Sequence, residues 1–256
     1  VKPAVLHLAD SHPAWFSIEK ANRQLIVGRA RVPKTPWAQD GLHLRIAGPR
    51  DPRVREEKPG TDLPARCAER HIQGDMTFCV GLHTLEVHSP AVARQWWTRL
   101  EQFLVCQGVA ELTRIWPVKQ ALDHGSAGKH HERALSLARE AGILEEYELA
   151  RLGEPSWITD RKLHVFGKKG RLINGRALCP RGCKRRARGR MVRTLRADCD
   201  KRQILVDLAY AEHLRQEALK QYWQDVIASG EKCCRTMRGC PLAAYENQTA
   251  IKGEEN

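Results

Sequence analysis

The stretch CAERHIQGDMTFC, residues 67 to 79, places Cys67, Glu69, His71 and Cys79 within thirteen positions. If residues 67 to 71 are extended, side chains alternate and Cys67, Glu69 and His71 face the same way. Thiolate and imidazole suit zinc, and a carboxylate can complete or support such a site. Two further candidate ligands, His124 and His130, lie in DHGSAGKHH, before and at the start of an expected helix. A Cys, Glu, His, His set could thus close one site across two distant segments. The spacing is not that of a zinc finger, and the competing reading is a locally hydrogen-bonded His71 beside a buried Cys67. Cys79 offers different chemistry. It follows the turn Gln73-Gly74-Asp75 and ends an apolar piece. A cysteine nucleophile needs exposure and help in forming its thiolate. His71 could return to Cys79 across the turn and, with Glu69, take or give protons. The competing reading is a small core thiol.

A second group comprises Cys179 and Cys183 in LCPRGCKRR, then Cys199, Cys233, Cys234 and Cys240. Pro and Gly between the first pair favour a tight turn, the usual setting of a zinc knuckle. Bound zinc would explain how so polar a region folds, because metal binding supplies folding free energy. Free thiols on a flexible insert are the alternative.

The net charge of +13 is concentrated in one place. Residues 161 to 202 hold sixteen Lys or Arg against two Asp, leaving the remainder near neutral. Such a block attracts an acidic protein face or nucleic acid, or is a solvated linker. No standard nucleic-acid reader motif accompanies it. No window approaches the roughly 18 apolar residues of a membrane span. The opening VKPAVLHLADSHPAWF does not read as a signal peptide. The expected compartment is cytoplasmic, where nine cysteines are thiols, ligands or nucleophiles rather than disulfides.

Residues 14 to 48 read as strands, with Leu25 and Val27, then Leu42, Leu44 and Ile46, alternating with polar neighbours. PKTPWAQDG is the connector, ending in a hairpin signal. Residues 48 to 66 read as an irregular proline-rich loop, and no helix is read ahead of the strands. Ser89 caps a helix with Pro90 in its first position and Val92, Trp96, Leu100, Phe103 and Leu104 on one face, ending near Gly108. Further helices are expected over 129 to 141, 143 to 152 and 201 to 229. The fold class is α+β: an antiparallel sheet with a crossing helix, followed by a mostly helical, cysteine-rich half. The expected segments are an α+β domain over 1–110, a helical segment over 111–155, a basic cysteine-rich region over 156–243 and a flexible tail over 244–256.

HIQGDMTFCVGL resembles the loop of ubiquitin-conjugating enzymes, in which a His-Pro-Asn-Ile motif runs through a Gly-containing turn to the catalytic cysteine. QLIVGRARV and DGLHLRIAGP resemble that fold's consecutive strands. The resemblance puts Cys79 on the thioester cysteine and His71 where the family has an asparagine that steadies the oxyanion. LPARCAERHIQGDMTFCVGL, the WW in ARQWWTRLEQFL, IWPVKQALDHGSAGKHH and the late CC…CPL together resemble a narrower group. These are the bacterial cysteine-rich CEHH (Cys, Glu, His, His) proteins encoded beside ubiquitin-conjugating domains in ubiquitin-like modification operons. The signature best fits Cys67, Glu69, His71 and His124, with Cys79 or Cys106, Glu111 and His130 as alternatives. The resemblance implies a conjugation-pathway component in antiphage defence, partnered by a ubiquitin-like protein and its activating or conjugating enzyme. Two other functions compete: a metal-dependent accessory or structural zinc adaptor without thioester chemistry, and a basic nucleic-acid-binding module using residues 161–202.

Overall fold

The computed structural model describes residues 2–81, 84–117, 123–156, 158, 179, 185–187, 190–192 and 199–254. The chain forms two compact units: Val1–Ala121 with Asp225–Asn256, and Leu122–Gln224. The basic segment 161–202 lies mostly outside the described residues, apart from Cys179, residues 199–202 and a short antiparallel pair formed by β5 (Arg185–Ala187) and β6 (Arg190–Val192).

The first unit is built on a four-stranded antiparallel meander in the order β1 (Phe16–Ala21), β2 (Leu25–Ala30), β3 (Leu42–Ala47) and β4 (Arg53–Glu56). The alternation read in β3 is a burial alternation: Leu42, Leu44 and Ile46 are buried while His43 and Arg45 are half-buried. At the β1–β2 pair the register slips between Ile18 and Lys20. Gly28 sits opposite Ile18 there, where an added Cβ would meet the Ser17 carbonyl oxygen at 2.3 Å, so only glycine admits this approach of the two backbones.

Sequence expectations are corrected at two places beside this sheet. Residues 53–56, read as part of an irregular loop, form β4, because Val54 and Glu56 turn inward in register with Ile46 and Leu44. The seven residues Ala4–Asp10 form helix α1, which sequence reading did not find. Ala4, Val5 and Leu8 are buried, and the Trp97 indole N–H donates to the Leu8 carbonyl at 3.0 Å. So short a helix is marginal in isolation, and tertiary packing supplies its stability.

Helix α2 (Pro90–Thr113) packs its buried residues into the same core as the sheet. Ser89 Oγ accepts from the Val92 N–H at 3.3 Å and Pro90 opens the helix, as read. That cap contributes about 1 kcal/mol. Trp96, Trp97, Leu100, Phe103 and Leu104 are buried on its inner face. The helix does not stop at Gly108 but runs through it, because the missing side chain lets Thr35 and Pro36 pack 3.2 Å from where a Cβ would lie. Residues 241 to 254, whose last part was expected to be a frayed tail, form α6 (Pro241–Glu254).

The described residues of the second unit form α3 (Ala127–Ala141), α4 (Leu144–Arg151), most of α5 (Arg202–Ala228) and the β5–β6 pair. Gly142 ends α3 in the left-handed conformation at φ 72°. Ala134, Leu137 and Ala138 pack with Tyr147, Leu205 and Leu208. A buried ionic cluster lies beside this core. Arg215 donates through two nitrogens to Glu212 at 2.7 and 2.8 Å and through a third to Asp123, and Tyr147 Oη donates to Glu212 at 2.9 Å. No helix among the described residues is long and apolar enough to cross a membrane.

Candidate functional site

The stretch 67–79 is not a simple extended strand. Residues 68–70 form a single 3-10 turn, and His71 adopts the left-handed conformation at φ 55°. The expected common face of Cys67, Glu69 and His71 therefore does not form as an extended-strand face. The Cys67 and Ile72 backbones pair in both directions at 3.1 and 3.0 Å, which closes the turn into a loop. Ile72 and Phe78 are then pulled into the core, where Phe78 stacks on Phe103 of α2 at a centroid distance of 5.0 Å. The Phe78 N–H donates to Val54 of β4 at 2.8 Å. At the tip, Asp75 accepts from the Thr77 N–H and hydroxyl and pairs with Arg53 at 3.0 Å.

This return brings Cys79 back to His71, whose carbonyl accepts the Cys79 N–H at 2.8 Å. The Cys79 side chain is half-buried, and its thiol faces the Gly81 carbonyl at 3.9 Å. An added Cβ at Gly81 would lie 3.3 Å from Arg99 Nη1, so an α2 arginine flanks the turn that carries Cys79. The His71 ring packs against Trp116 at a centroid distance of 4.9 Å.

The loop is anchored from beneath by Arg70, a fully buried side chain. Its guanidinium donates to Gln107 Oε1 and to Glu111 Oε2, each at 2.8 Å. The buried Gln107 amide donates back to the Arg70 carbonyl at 2.6 Å. Sequence reading missed Arg70 and Gln107, since nothing local marks a pair 37 positions apart.

Residues 15–118 match the family model of a prokaryotic E2 domain, and residues 123–242 that of a cysteine-rich domain C-terminal to E2 domain. The chain is a prokaryotic E2 domain followed by its cysteine-rich domain. Neither the curated proteins nor the solved structures searched give a match.

Three cysteines fall within the E2 domain, and they differ in setting. Cys67 and Cys106 are buried, and burial pushes the Cys106 thiol up to about 11. Cys79 alone of the three is half-buried. Glu69 is pushed up to about 7, chiefly by burial and further by Cys234. The last three cysteines of the cysteine-rich domain belong spatially to the first unit, with the E2 domain. Cys67 Sγ lies 2.7 Å from Cys234 Sγ, and Cys234 also meets the Thr236 hydroxyl at 3.1 Å. Arg114, at the end of α2, holds this segment by donating to the Arg235 and Thr236 carbonyls. Cys240 is buried, and burial followed by the neighbouring Cys233 pushes its thiol up to about 11.

The remaining candidates lie in the second unit, except Cys183, which is outside the described residues. Cys179 is buried and Cys199 half-buried. His124 stacks on Tyr222 at a centroid distance of 4.9 Å, and burial holds its pKa down to about 4. His130 is half-buried on α3, its pKa lowered by burial and then by Lys129. The neighbouring His131, not singled out from sequence, is the residue inside the core. Its Nδ1 accepts the Asp123 N–H at 3.2 Å and its buried Nε2 has no hydrogen-bond partner among the described residues. Position 131 lies on the same helix face as Ala127, Ala134 and Ala138, a periodic signal that marks it as inward. Among the described residues, no group of three or more His, Cys, Asp or Glu is arranged to hold a metal ion.

His131 gives a pH prediction. Burial, then Arg151, lowers its pKa from 6.5 to about 4. Between those values the unfolded chain binds more protons than the folded one, so stability present above pH 6.5 is lost as pH falls toward 4. Thermal unfolding followed from pH 7 to pH 4 will show a shallower decline for His131→Gln than for the wild type. Equal slopes would remove His131 as the cause.

Proposed function

We propose that the protein is a carrier in a bacterial ubiquitin-like conjugation pathway, serving antiphage defence, with Cys79 as the acceptor. The observation that supports this is the combination of an E2 domain over residues 15–118 with Cys79 as that domain's only cysteine that is not buried. The Cys79 thiolate would attack the thioester carbonyl carbon of the charged activating enzyme, whose own thiolate leaves. An incoming amine would then attack the new thioester, releasing the Cys79 thiolate and giving up its proton to a base. His71 fixes the backbone of the nucleophile turn through its carbonyl. By the resemblance its imidazole would stand in place of the family's amide, and Glu69, held partly protonated near neutral pH, would be the titratable carboxyl of the same loop. The test is charging by an activating enzyme loaded with its ubiquitin-like protein, read as a thiol-labile adduct on a gel.

Zinc belongs to this reading as a structural ion of the cysteine-rich domain. Since Cys233, Cys234 and Cys240 lie with Cys67 in the first unit, the cysteines left for zinc in the second are Cys179, Cys183 and Cys199. Thiolates suit zinc, and its binding would supply folding free energy to this polar region. Elemental analysis is expected to find zinc that is lost in Cys179→Ser and kept in Cys79→Ser. No zinc in the purified wild type would remove the ion from this reading. The basic segment 161–202 would dock an acidic partner face, with nucleic acid as the competing ligand.

A further inference from the structure

Cys67 and Cys234 are 167 positions apart and the described residues around them explain why they meet. The paired backbone of Cys67 and Ile72 fixes the first thiol at the root of the E2 loop, and the Arg114 contacts to residues 235 and 236 fix the second. Their sulfurs are 2.7 Å apart, nearer than a van der Waals contact and longer than a disulfide bond of about 2.05 Å. Cys67 is 4% exposed, whereas Cys234 is only partly buried and is the more accessible residue of the two. The Thr236 hydroxyl at 3.1 Å is placed to donate to a thiolate there. Two thiols held together, one sheltered and one open, have the arrangement of a resolving and an attacking cysteine.

We propose that Cys67 and Cys234 form a reversible disulfide, a redox modification site that ties the loop bearing Cys79 to the C-terminal cysteine segment. The oxidant is a low-molecular-weight disulfide of the glutathione class. The Cys234 thiolate attacks one sulfur of that disulfide, forming a mixed disulfide and expelling one small thiolate, which takes up a proton. Cys67 then loses its proton and attacks the Cys234 sulfur, expelling the second small thiol. Two protein thiols are oxidised and one small disulfide is reduced to two thiols. Dithiothreitol reverses the sequence. The disulfide does not depend on Cys79 being a nucleophile, so it stands or falls separately from the carrier reading.

The test uses the full-length wild-type protein, incubated with oxidised glutathione, alkylated and digested. The expected result is a peptide joining Cys67 to Cys234, loss of two alkylatable thiols per chain, and full reversal by dithiothreitol. Closing so long a loop in the unfolded chain is expected to raise the thermal midpoint by roughly 10 °C. Neither Cys67→Ser nor Cys234→Ser should show that rise, and the peptide map of the wild type decides the matter if either variant fails to fold. A disulfide joining Cys234 to Cys233 or Cys240 instead would overturn the proposal. So would retention of all thiols under conditions that oxidise a control dithiol. Zinc released from untreated protein on blocking its thiols, and absent from Cys67→Ser, would make the pair metal ligands and also overturn it.

Discussion

Cys79→Ala is expected to abolish the thiol-labile adduct with the ubiquitin-like protein, to below detection, while the fold survives. The expectation of lost charging follows from exposure: of the E2 domain's three cysteines, Cys67 and Cys106 are buried, and a sulfur that must meet another protein's thioester has to reach solvent. The expectation of a surviving fold follows from the side chain's few ties. Among the described residues its thiol makes one long contact of 3.9 Å to Gly81, and what holds the turn is the Cys79 backbone N–H, which alanine keeps. The stability change should stay within about 1 kcal/mol. Cys79→Ser sharpens the measurement, because an oxygen ester at the same position resists thiol but yields to hydroxide. Undiminished adduct in Cys79→Ala would refute the assignment. A parallel set with Cys106→Ala and Cys67→Ala would locate the true acceptor.

The legible parts of the fold were those whose signal is local. Ser89-Pro90 names a helix start on its own, and Leu42, Leu44 and Ile46 name a one-sided strand. The parts that were not legible depend on a partner elsewhere in the chain. Arg53-Val54-Arg55-Glu56 has too little apolar content to call itself a strand, and it becomes one by pairing with β3. Ala4–Asp10 is too short to hold a helix alone and is held by the sheet and α2. Gly108 looks like a helix stop until Thr35 and Pro36 are seen to need its bare backbone. The site divides in the same way. The Gly-containing turn before Cys79 is a local feature, and it placed the candidate nucleophile on a loop. The grouping of the cysteines is not local. Spacing groups six as one late cluster, whereas three of them lie in the first unit with Cys67, which spacing groups with a different set. Spacing along the chain cannot show that α5 carries the chain back to the first unit before Cys233.

Arg70→Ala is expected to cost about 3 to 5 kcal/mol and to lower charging at Cys79 even where the protein remains folded. A buried arginine runs against the usual exposure of that residue, so its presence is explained only by what it satisfies. Here the guanidinium meets Gln107 and Glu111, and the Arg70 carbonyl takes the other end of the same Gln107 amide. Removing the side chain leaves Gln107 Oε1 buried in α2 without its donor and opens a cavity beneath the loop. Glu111 suffers less, being 44% exposed and able to return to water. The loop consequence is specific, because Arg70 directly precedes His71, whose left-handed backbone carries the carbonyl that holds Cys79. Loosening residue 70 frees residue 71, and the nucleophile turn loses its register with the domain. Arg70→Lys tells the two effects apart. It keeps a positive charge but not the fork that spans Gln107 and Glu111, so it should recover part of the stability and little of the charging rate. Chemical denaturation gives the first quantity and the initial rate of adduct formation the second. A full charging rate in a folded Arg70→Ala protein would show that the loop holds its shape without this anchor.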